Sequence, residues 1–152
     1  MEKNWQSVVS DVLTEVLEEF AFIFVETEPD EEIEEPDEVV YAEINFNGQD
    51  VEGVLGIAVS WQKCLELADN LLVADEQENL SERAVENALE ELVNVVCGRL
   101  LAELYGTNVI FDLSIPETKA LSKKKWNNLM QSEETVLVYE EDEPLAIYLS
   151  VR

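Results

Sequence analysis

Histidine is missing altogether, and cysteine occurs only twice in 152 residues. Without histidine the chain cannot run Ser-His-Asp or Cys-His nucleophilic chemistry, and no metal site can draw on imidazole. Cys64 and Cys97 form no metal-ligand pattern and imply no disulfide framework, which fits a reducing cytoplasm. Basic residues are scarce too. Nine lysines and arginines stand against 35 acids, a formal net charge of −26. That balance argues against binding nucleic acid or an anionic membrane through a basic surface. No apolar run approaches the ~20 residues needed to cross a bilayer. The N-terminal stretch MEKNWQSVVSDVLTEVLEEF has several acids and no continuous apolar run, so it reads as an amphipathic helix rather than a signal peptide.

What is present is a well-patterned core. With 47% hydrophobic residues the chain is not a disordered acidic protein, and its length fits one domain over 1–152. Trp5–Phe20 repeats apolar residues at i, i+3, i+4 and i+7 and reads as a helix; the aromatic-rich Ala21–Val25 reads as a strand. Residues 26–38 carry nine acids and two prolines and read as an exposed acidic loop. Val39–Phe46 and Val51–Ser60 read as strands of a hairpin around Asn47-Gly48. Ser60 then caps a helix, Trp61–Leu72. A polar connection leads to a long helix in Ser81–Tyr105, capped by Ser81, stapled by Leu80 and Val85, and ended by Gly106. Thr107–Ile115 reads as a strand stopped by Pro116. Glu117–Gln131, with Lys119 and the Lys123-Lys124-Lys125 run, is open between helix and loop. Thr135–Glu140 and Leu145–Val151 form a second hairpin. The order α-β-β-β-α-α-β-β-β specifies an α+β fold, a mixed, largely antiparallel sheet packed on long amphipathic helices.

The long helix holds the most informative feature. At about 100° per residue, Asn87, Glu91, Asn94 and Gly98 fall within roughly 60° of one another. Val85, Leu89, Leu92, Val96, Leu100 and Leu104 lie on the other side. The helix thus buries one face and presents two amides, a carboxylate and a glycine on the other. A glycine inside a helix costs about 1 kcal/mol relative to alanine, so something needs close approach at Gly98.

Glu91 to Gly98 reads ExxNxxxG, and in this it resembles the chemotaxis phosphatases CheX and CheC and the flagellar switch phosphatase FliY. The flanks agree: GVLGIAVS followed by WQKCLELADNLL before the helix, Gly106 closing it, and FDLSIP (Phe111–Pro116) after it. One signature on one helix resembles the single-site CheX type. The family has serine or an acid where Asn87 stands; asparagine still hydrogen-bonds but lacks an acid's charge.

The resemblance implies a CheX-like fold and a substrate, the phosphorylated receiver domain of a CheY-like response regulator. It implies that Asn94 positions the attacking water, that Glu91 pairs with the receiver's active-site lysine, and that Asn87 and Gly98 contact the partner. It implies no cofactor of the chain's own, the Mg2+ being supplied by the receiver, and a homodimer formed through sheet edges, with Thr135–Arg152 and 117–131 as the candidate segments. Two other readings remain open at this level. A non-catalytic module would bind a receiver or flagellar switch component without hydrolysing it. An acidic decoy mimicking nucleic acid would bind polycations with no dependence on Glu91 or Asn94.

Overall fold

The computed structural model describes residues 4–29, 35–71 and 81–152. Helix α1, Trp5–Ala21, is capped by Asn4, whose side chain accepts from the Gln6 N–H at 3.1 Å. Its heptad-like stripe of Val9, Val12, Leu13, Val16 and Leu17 is fully buried. Phe22 adopts a left-handed conformation (φ 57°) and the Ile23 N–H closes on the Leu17 carbonyl at 3.0 Å. This helix stop takes up the segment expected as the strand Ala21–Val25. Ile23 does point inward, with Phe22 and Phe24 outward, but pairing is limited to one bridge, Glu26 with Tyr139.

Strands β1 (Val39–Asn47) and β2 (Glu52–Ser60) pair antiparallel in the register Val39↔Ser60 to Asn47↔Glu52. The turn between them is closed by Gly48 N–H on the Val51 carbonyl at 2.7 Å. Helix α2, Trp61–Leu71, follows at once, with the Ser60 hydroxyl accepting from the Lys63 N–H at 3.0 Å as the capping expectation required. Residues 72–80, including the expected staple residue Leu80, lie outside the described residues, as do 30–34 of the acidic loop. The described acids of that loop, Glu26, Glu28, Glu35, Asp37 and Glu38, are exposed.

Helix α3 is Glu82–Tyr105. Then come β3 (Asp112–Leu113), β4 (Glu117–Leu121), helix α4 (Lys123–Gln131), β5 (Thr135–Glu140) and β6 (Glu143–Val151). The expected strand Thr107–Ile115 shrinks to two paired residues, because Thr107–Val109 turn after Gly106 and only Leu113 and Asp112 reach Phe46 and Asn47. The open segment 117–131 resolves into a strand and a short helix. Among the described residues the order is therefore α-β-β-α-α-β-β-α-β-β, a correction in detail within the expected α+β class.

Every strand pairing among the described residues is antiparallel, in the order β3-β1-β2-β6-β5, with β4 sharing the outer edge of β1. Alternation along the strands sends Val40, Ala42, Ile44 and Phe46 to one face, where α1, α2 and α3 pack over them. The other face holds Val39, Tyr41, Ala58 and Ala146, covered by Trp126 of α4. Lys123, Lys124 and Lys125 are exposed at the start of α4, on the far side of the sheet from α3. Among the described residues no helix is long and apolar enough to cross a membrane.

Candidate active site on the third helix

The Ser81 hydroxyl accepts from the Ala84 N–H at 3.0 Å and starts α3; Glu82 sits favourably in the first turn, at the positive end of the helix dipole. Gly106, at φ 86°, ends the helix, its N–H on the Ala102 carbonyl at 2.9 Å. Between these caps run about 36 Å of helix. Val85, Leu89, Leu92, Val93, Val96 and Leu100 are buried against α1, α2 and the sheet.

Asn87, Glu91, Asn94 and Gly98 are all exposed on the opposite face, as their spacing required. Among the described residues, no hydrogen bond or ion pair engages the side chain of Asn87, Glu91 or Asn94. They form a row of unengaged donors and acceptors running along the helix. By helix geometry, Asn94 lies about 4.5 Å along the axis from Glu91, and Gly98 about 6 Å further.

The row is held in place from both sides by residues that sequence reading passed over. Glu90, directly before Glu91, is buried. Both its carboxylate oxygens accept from Arg83, at 3.2 and 3.0 Å, and one also accepts from the Thr118 hydroxyl of β4. These hydrogen bonds, first to Glu90 and then to Glu86, hold the already basic Arg83 guanidinium still further up. On the other flank Arg99 pairs with Glu19 of α1 at 3.0 Å. The Thr118–Glu90 hydrogen bond and the Arg99–Glu19 pair link α3 to β4 and α1, while its buried face seats the helix with Asn94 turned outward. The seven-residue spacing of Arg83 and Glu90 places them on one helical face, which was the available signal; Thr118 arrives from a distant strand and left none.

The cysteines take no part. Both are buried, and burial pushes each thiol up to about 12, so both stay protonated at neutral pH. Cys64 donates to the Val85 carbonyl at 3.4 Å. Another buried group the sequence did not flag is Lys63, which joins Glu66 at 2.7 Å, Glu140, and Glu143 at 3.6 Å. It staples α2 to the β5–β6 hairpin, away from the row on α3.

The family model described as chemotaxis phosphatase CheX matches residues 40–140, which include Glu91, Asn94 and Gly98. No curated protein matches the chain in sequence. Among solved structures, the chemotaxis protein CheX of Vibrio vulnificus is similar, with 19% identity and a TM-score of 0.69 over 99% of this chain and 97% of that one. A CheX–CheY–BeF3–Mg complex from Borrelia burgdorferi gives 18% identity and a TM-score of 0.68, covering 99% of both chains. A CheC-like superfamily protein of Shewanella sp. PV-4 gives 18% identity and 0.68, over 100% of this chain and 99% of that one. At these identities the structural likeness speaks for the fold.

Proposed function

As the chain belongs to the family of the chemotaxis phosphatase CheX, we propose that it hydrolyses the aspartyl-phosphate of a CheY-like receiver domain, with Asn94 holding the attacking water. The observation that carries this reading is the exposed row of Asn87, Glu91 and Asn94, unengaged among the described residues, on a helix seated by its buried face.

The water oxygen attacks phosphorus, the bond from phosphorus to the aspartyl oxygen breaks, and the receiver's carboxylate is regenerated as inorganic phosphate leaves with the proton. Phosphoryl transfer of this kind is limited by positioning and charge, so a bound amide can act without any nucleophile of its own. The Asn94 amide both donates and accepts, and can therefore grip a water in line with the breaking bond. Glu91 reaches the receiver's active-site lysine and sets the register of the docked helix. Asn87 adds a neutral hydrogen-bonding contact one turn further on. Mg2+ belongs to the receiver in this reading, where it neutralises developing charge on the phosphoryl group. The row offers a single carboxylate, and among the described residues no cluster of three His, Cys, Asp or Glu could hold a metal. The chain works in the cytoplasm, beside its receiver.

The test is the lifetime of a phosphorylated receiver from the same organism, with and without this protein. At least about a tenfold shortening is expected, a small part of what positioned groups can supply. A protein that binds the receiver yet leaves its lifetime unchanged would establish the non-catalytic module instead.

Dimerisation is the second part of the proposal. Among the described residues β4, within 117–131, and β5, within Thr135–Arg152, lie on opposite outer edges of the sheet, and open edges are the parts of a sheet that need cover. Sedimentation equilibrium is expected to give twice the chain mass; a monomer at high concentration would remove the dimer without touching the chemistry.

A further inference from the structure

Gly98 has no internal reason to be glycine. Among the described residues, a Cβ built on it meets nothing within 4 Å. Its backbone is ordinary helix, and positive φ among the glycines is confined to Gly106. Glycine nevertheless costs the helix about 1 kcal/mol relative to alanine. What needs the missing methyl group therefore lies outside the chain.

Beside Gly98 the surface sinks into a cavity of about 280 Å3, lined also by Leu101, Ala102, Gly106, Val109 and Phe111. Its back wall is fixed. The Phe111 ring packs edge-on against Phe46 at 5.9 Å and tilted against Tyr105 at 5.6 Å. Its rim is apolar and open, with Val109 40% and Leu113 39% exposed. The volume falls just under the about 300–1,000 Å3 usual for small-molecule sites, and suits one bulky apolar side chain.

We propose that this cavity receives an apolar side chain from the surface of the receiver domain, and that Gly98 is bare because that side chain passes over it. The inference rests on the phosphatase reading, and nearness to Asn94 favours the receiver as the occupant. Gly98 is one helical turn, about 6 Å, from Asn94. A domain that brings its phosphoryl group to Asn94 through an interface of usual size covers about 800 Å2 of this surface, and a site one turn away falls within that reach. The polar row thus supplies chemistry and register, and the apolar end supplies an anchor of the kind that dominates interface affinity.

The test pairs Gly98→Ala and Gly98→Leu with Ala102→Leu, which fills the same cavity from its other wall. The probe is a receiver loaded with beryllofluoride and Mg2+ for binding, and the phosphorylated receiver for kinetics. Gly98→Ala is expected to raise the melting temperature, because the helix gains, and yet to weaken binding. Gly98→Leu and Ala102→Leu are expected to raise Kd and KM about tenfold or more, the loss of one apolar anchor, with kcat at saturating receiver falling far less. Opposite signs for stability and affinity in one substitution are what a merely structural glycine would not give. If Gly98→Leu binds the receiver as tightly as the parent, while the parent still hydrolyses through Asn94, the subsite is overturned and the phosphatase reading stands. If Gly98→Leu instead changes the sedimenting mass and leaves Kd alone, the cavity takes a second copy of the chain, and the proposal also falls. A parent that neither binds nor dephosphorylates receivers removes both.

Discussion

Asn94→Ala is expected to slow dephosphorylation of the receiver about a hundredfold while leaving receiver binding within a few-fold of the parent. A hundredfold corresponds to about 2.7 kcal/mol of barrier. One amide that orients a water in line with a breaking phosphorus–oxygen bond can account for that much, because the reaction needs placement more than covalent help. The substitution should not disturb the helix. Asn94 is exposed and unengaged in the folded chain, and alanine is the better helix former. Asn94→Asp sharpens the result. It keeps the shape, but a carboxylate only accepts hydrogen bonds and repels the phosphoryl oxygens, so it should also be slow. The measurement is single-turnover decay of the phosphorylated receiver, set against titration with a beryllofluoride-loaded receiver. If Asn94→Ala keeps more than a third of the acceleration, the water is held by another group. If binding falls as far as the rate, Asn94 is a contact and not the positioning residue.

Much of this was readable before any coordinates, because the carrying features are local. The row of Asn87, Glu91, Asn94 and Gly98 depends only on helical periodicity, and the caps Ser60, Ser81 and Gly106 work through neighbours three or four residues away. The losses came where the decisive partner is remote. Ala21–Val25 has a strand's alternation, yet it becomes a helix exit because only Tyr139 is in reach for pairing. Thr107–Ile115 has a strand's composition, but β1 has to share one edge between β3 and β4, which leaves two residues paired. Asn47-Gly48 was read correctly as a hairpin for the wrong reason. Gly48 does not take a positive φ; a Cβ there would strike the Phe111 ring at 2.7 Å. The same ring walls the cavity beside Gly98, so a turn and a docking surface are linked through one side chain 63 residues away, and that link has no local signature. Glu90 shows the converse. Beside Glu91 it looks like one more surface acid, and only the folded chain reveals it as buried and triply bonded while its neighbour stays free.

Leu92→Ala is expected to cost about 2–5 kcal/mol of stability while each folded molecule keeps most of its phosphatase rate. Leu92 is fully buried, between the exposed Glu91 and the equally buried Val93, and belongs to the core cluster that joins α1, α2, α3 and the sheet. Its truncation leaves a cavity that close-packed neighbours fill only in part. Against a usual total of about 5–15 kcal/mol, that is a large share. Urea unfolding should show the midpoint falling with an unchanged slope, the sign of lost stability without a change in exposed surface. The rate should survive for a geometric reason. Leu92 points into the core, Asn94 out of it, and nine other buried residues of α3 keep the helix seated when one is truncated. Below the unfolding midpoint the variant should therefore turn over receiver within a few-fold of the parent. A loss of rate per folded molecule as large as that of Asn94→Ala would mean that the packing of Leu92 itself aims the catalytic amide.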